Sequence, residues 1–153
     1  MQDERTAICV RKALIEPLRD IYGGSDKVLM MAFSCILISA SLEKPLWTEA
    51  GCSMIAIDTL LHNFLHRTGI LRERDAEHHY GSACYDDGGC AEILEHISQR
   101  IDARRFNRDF PSHFPRFVQH AIWRYCSQQG LNICNGNRID DRIACQNDHC
   151  QLF

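Results

Sequence analysis

From Val28 to Leu42 the chain is almost unbroken apolar sequence, relieved only by Ser34, Cys35, Ser39 and Ser41. The run falls short of the roughly 18–20 apolar residues that a helix needs to cross a bilayer. A buried core helix over about residues 26–41 is therefore predicted, with Ser25 or Asp26 as its N-cap. A helix that is apolar almost all round belongs at the centre of a domain. Few β-branched alternations occur anywhere, so strands are not expected. The fold class this implies is all-α: a compact bundle of about five helices around the apolar one. Residues 1–153 are read as a single domain, long enough to bury a real core, with an irregular Cys-rich C-terminal extension over about 126–153.

Other helices follow from periodicity and stop signals. Residues 4–16 read as a first helix disturbed by Pro17, and Gly23-Gly24 breaks the chain after it. A helix is expected from Thr48 to Arg67 or Thr68, with Gly69 taking the left-handed position that ends it. Residues 72–88 read as a long loop. Cys90 to Arg104 is helical in spacing, and a last helix over about 114–129 is capped by Ser112 and closed by Gly130. Phe106, Phe110, Phe114 and Phe117 recur at helical intervals and read as a core stripe. Arg100, Arg104, Arg105, Arg108 and Arg116 lie beside them, diluted by Asp102 and Asp109, and the default reading is a solvated face.

The 45% apolar and 24% charged composition is that of a globular protein. A formal net charge of −3 leaves no overall basic footprint for phosphate binding. The first residues, Met1-Gln2-Asp3-Glu4-Arg5, lack an apolar signal region, so secretion is not expected and a cytoplasmic location is. Nine cysteines, an odd number, then point to reduced thiols or metal ligands rather than a disulfide framework. Cys9, Cys35 and Cys52 sit in apolar periodic segments and read as small core residues.

The densest chemistry lies in the helix predicted over 48–68. Asp58, His62 and His66 are spaced i, i+4, i+8, so their side chains form one stripe. Polar groups embedded among Met54, Ile55, Ile57, Leu61 and Leu65 need partners. Three readings stand side by side. The stripe is a metal face, with His62 and His66 chelating one ion; or Asp58 is a catalytic carboxylate oriented by the histidines; or Asp58 caps or pairs locally and the histidines are partly exposed.

Residues 56–70, Ala-Ile-Asp-Thr-Leu-Leu-His-Asn-Phe-Leu-His-Arg-Thr-Gly-Ile, resemble the post-hairpin helix of helix-hairpin-helix DNA glycosylases of the endonuclease III type. The resemblance implies a DNA-repair role, DNA as partner, and Asp58 as the carboxylate that assists attack at the sugar C1′ carbon. It also implies an iron–sulfur cluster on C-terminal cysteines that follow a helix bearing His and Trp. Here His120 and Trp123 precede Cys126, Cys134, Cys145 and Cys150. The family's Gly-rich hairpin is absent upstream, where Ile38-Ser39-Ala40-Ser41-Leu42 stands, so lyase activity is not implied.

Two further His/Cys groups invite a metal. His79-x4-Cys84-x5-Cys90, with His78 adjacent, sits in a Gly-rich loop whose tight turns suit tetrahedral zinc; the alternative is a surface loop with its cysteines packed beneath it. The tail holds Cys126, Cys134, Cys145, His149 and Cys150 with little apolar sequence, and zinc or an iron–sulfur cluster would organise it. Disulfides or loose reduced thiols are its alternatives. The functional candidates are thus a DNA-repair-like protein, a metal-dependent helical enzyme using the Asp58, His62, His66 face, and a non-catalytic metal-braced binding or structural domain.

Overall fold

The computed structural model describes residues 2–21, 25–39 and 44–131, and the side chains from Thr6 onward. Every regular element among them is helical: α1 (Gln2–Ile15), α2 (Asp26–Ile38), α3 (Pro45–Cys52), α4 (Thr59–Arg67), α5 (Ile70–Glu73), α6 (Cys90–Ser98) and α7 (Pro115–Cys126). Short 3-10 turns lie at Glu16–Leu18, Ser82–Tyr85 and Ala103–Arg105. No helix among the described residues is long and apolar enough to cross a membrane.

The chain divides into two compact units, and the divisions fall within α6, within α7 and just before α4. The first unit comprises residues 1–56 and 94–118. In it α3 packs against both α1 and α2. Gly51 permits the α2 approach, because a Cβ there would lie 2.8 Å from Leu37 Cβ and 2.9 Å from the Ile38 amide nitrogen. Half-buried Arg11 bridges the ends of this unit's chain segments. Its Nη1 donates to the Ser53 carbonyl at 2.7 Å and to Glu95 Oε2 at 2.9 Å.

Ser25 caps α2 as expected, accepting from the Val28 amide, but the helix is not enclosed on all sides. Met30, Ser34 and Leu37 are buried along one stripe, whereas Val28, Met31 and Ile36 are exposed. High apolar content marks a helix as able to be buried; the number of partners packed around it decides whether it is. Cys35 goes with the exposed side, and Cys9 on α1 is exposed too, so of the three cysteines read as core residues only Cys52 is buried. Burial, reinforced by the charge of Glu49, pushes the Cys52 thiol up to about 12.

The helix predicted over 48–68 is two helices. α3 ends at Cys52, residues 54–58 are non-helical, and α4 starts at Thr59. Asp58 is the N-cap of α4, its Oδ1 accepting from the Leu61 amide at 2.8 Å. Gly69 follows α4 with φ of 76°, the left-handed stop its position predicts.

The aromatic stripe is likewise not helical. Phe106 and Phe110 lie on a loop, Phe114 precedes α7, and only Phe117 is within it. The rings still gather, with Phe117 centred 5.2 Å from Phe106, 5.3 Å from Phe110 and 6.0 Å from Phe114. Pro111 and Pro115 bar a continuous helix, so folding back of the loop brings together what a helical repeat would have aligned.

The second unit comprises residues 57–93 and 119–153. It holds α4, α5, the start of α6 and most of α7. Leu60 and Cys126 are buried together, with Phe64, Ile122, Trp123 and Tyr125 packed around them. Between α5 and α6 the chain runs from Arg74 to Gly89 with only the Ser82–Tyr85 turn as regular structure. Long irregular connections in packed units are commonly functional.

Candidate metal centre

Three pieces of local structure bring the site's side chains together. α4 carries His62 beside the buried Leu61 and Leu65, and the residue is only 6% exposed. The loop after α5 carries His78 and then, in the Ser82–Tyr85 turn, Cys84. The turn at Asp86-Asp87-Gly88-Gly89 places Cys90 at the first position of α6. Gly88 adopts φ of 77°, where a side chain would be strained, and its amide donates to Glu92 Oε2 at 2.6 Å. Gly89 has a different reason: a Cβ would stand 2.4 Å from the Ala83 carbonyl oxygen. Only a bare α-carbon lets the Cys84 turn lie this close to the Cys90 helix start.

The result is a His2Cys2 group. The ligand atoms of His62, His78, Cys84 and Cys90 all lie within 4.8 Å of one another. His62 Nδ1 is 3.3 Å from Cys90 Sγ and 3.5 Å from Cys84 Sγ, and His78 Nε2 is 3.4 Å from Cys90 Sγ. A tetrahedral zinc with ordinary bond lengths has nitrogen–sulfur edges of about 3.5 Å. Both cysteines are wholly buried and His78 is half-buried. Such donor types and spacings suit a metal ion such as zinc.

Neighbouring groups orient the ligands. His78 Nδ1 lies 2.7 Å from the Ala76 carbonyl. A carbonyl only accepts, so Nδ1 carries the proton and Nε2 presents its lone pair to the sulfurs. Two tyrosines tie the loop to the start of α4 through one residue. The Ile57 amide donates to the Tyr85 hydroxyl at 2.7 Å, and the Tyr80 hydroxyl reaches the Ile57 carbonyl at 3.5 Å. The Tyr80 ring sits 5.9 Å from that of His62, and the two histidine rings meet edge to face at 5.1 Å. Burial, then the negative charges of Asp58 and Cys84, push the Tyr80 phenol up, which keeps it a donor.

The two thiols titrate as a pair. Hydrogen bonds to its sulfur, that from Cys90 foremost, hold Cys84 well below the usual thiol range. Cys90, donating beside a thiolate and buried, is pushed up. A cation held by both sulfurs would displace whatever protons they carry.

The other residues singled out by sequence are placed elsewhere. Asp58 caps α4 and is not part of the group. His66, one turn beyond His62, has its Nδ1 3.9 Å from Glu77 Oε1. Among the described residues, the group that could hold a metal takes in His62 but neither Asp58 nor His66. His79 is exposed, and its neighbour His78 takes the ligand position. Cys126 is buried beside Leu60, and His120 is exposed and stacked on Trp123 at 6.0 Å. Cys134, Cys145, His149 and Cys150 lie outside the described residues. Joining His62 to the loop cysteines needed the tertiary fold. The one legible hint was an imidazole on an otherwise apolar helix face. Comparisons with protein-family models, with curated proteins and with solved structures find no match to this chain.

Proposed function

We propose that the protein is a non-catalytic binding or structural domain braced by one zinc ion held by His62, His78, Cys84 and Cys90. The observation that carries this is the convergence of two imidazoles and two thiols, from three separate local structures, into one group with three buried members and the half-buried His78. Four protein ligands fill a tetrahedral ion. No position is left for the water or substrate that catalytic zinc keeps open. The ion's work is then mechanical: it pins the loop between α5 and α6 to α4, where apolar burial alone is thin, and its binding free energy becomes folding free energy. Nothing in the structure or the comparisons supports a DNA-repair role.

The test is elemental analysis of the purified full chain alongside Cys84→Ser and His62→Ala, with cobalt exchanged into each. The wild type is expected to hold one more equivalent of metal than either variant, and its cobalt form to show the charge-transfer absorption of two thiolates. Acid-labile sulfide and a visible iron chromophore would instead identify a cluster. Equal metal content in wild type and variants would remove the proposal.

A further inference from the structure

The loop from Ala103 to Ser112 in the first unit has a surface that the metal centre does not explain. Its ends are tied together by the Ala103 amide donating to the Ser112 carbonyl at 2.9 Å. Within it the Phe106 ring is 67% exposed, yet it rests on Phe117, 5.2 Å away, which is itself backed by Phe110 and Phe114. Around Phe106 the stretch from Arg100 to Arg116 holds five arginines against two aspartates. That is an excess of three positive charges in a chain whose net charge is −3. Asp102 engages Arg104 with both carboxylate oxygens, at 2.9 and 2.8 Å. Arg100, Arg105 and Arg108 are exposed and form no ion pair among the described residues.

We propose that this loop docks a single-stranded nucleic acid, Phe106 stacking on a base while Arg100, Arg105 and Arg108 meet phosphates. Charge complementarity calls for a polyanion, and the exposed ring decides which. An unpaired base offers a free π-face to a supported aromatic ring. A duplex hides its faces in the stack. An acidic peptide would answer the arginines and leave Phe106 in water. A lipid surface needs a wider apolar face than one Phe set between exposed Arg105 and Asn107. The reading is independent of the metal.

Fluorescence anisotropy of the full chain with short labelled oligo(dT) and oligo(rU) tests it across a salt series. Both strands are expected to bind, since base and phosphate are common to them, with log K falling against log salt at a slope of about −2, as three phosphate contacts imply. Phe106→Ala is expected to weaken binding by about tenfold or more, and Phe106→Trp to keep or tighten it. Arg108→Ala is expected to reduce the slope by about 0.7. The exposure of both positions means these variants should retain the wild-type circular dichroism. Absence of saturable binding at low salt, unaltered affinity in Phe106→Ala, a preference for duplex, or binding only to phosphatidylserine vesicles would each overturn the proposal.

Discussion

At the scale of single residues the metal centre turns on which of two adjacent histidines faces inward. His78 and His79 are neighbours in the irregular loop after α5, and the sequence does not say which reaches the cysteines. The structure gives the ligand position to His78, with its Nδ1 held by Ala76. His78→Ala is accordingly expected to lose metal, while His79→Ala keeps the wild-type content; a zinc titration of both variants reads the difference. Cys52 makes a separate prediction. Its thiol is raised in the folded chain, to about 12 from an ordinary value near 9. The folded state therefore holds this proton more tightly than the unfolded one. Its stabilising effect is complete below pH about 9 and is lost as pH climbs towards 12. Urea midpoints measured from pH 8 to 11 should fall more steeply for the wild type than for Cys52→Ala.

At the scale of elements, the start and stop signals were legible and the continuity between them was not. Ser25 and Gly69 do what their types and positions predict. The break at residues 53–58 was hidden because Met54, Ile55, Ala56 and Ile57 continue the apolar character of the flanking helices and include neither Gly nor Pro. Only Asp58-Thr59, a sound N-cap pair, marked the restart. Asp58→Ala is expected to cost about 1 kcal/mol through loss of the cap, and Asp58→Asn much less, as chemical denaturation would show. Gly89→Ala should do more damage than its size suggests, because its methyl group would meet the Ala83 carbonyl. The expected outcome is weaker zinc binding with α4 unaltered, measured by competition with a chelating dye.

At the scale of the whole molecule, the helical class was readable from periodicity, and so was the loop part of the site, His78, Cys84 and Cys90, as a zinc candidate. The fourth donor, His62, was assigned to a separate polar ridge on one helix. Only long-range packing makes them one group, and sequence spacing carries no record of that. Chelation should therefore act regionally. Hydrogen exchange is expected to speed up at amides of residues 74–89 on zinc removal, to a greater extent than at α1 or α3. Uniform acceleration, or none, would count against a brace confined to that loop.

The donors also follow one another in a single contiguous stretch, from His62 to Cys90. At synthesis rates of about 5–20 residues per second, the interval between the first and last of them is roughly 1.5–6 s. All four are thus in the nascent polypeptide before any of α7 has been translated. Under the proposed function, ion capture would precede the arrival of the segment from Gln119 onward, making the centre an early fastening in biogenesis rather than a final lock. Cells short of zinc would then accumulate a faulty product during translation, with two bare thiols on display.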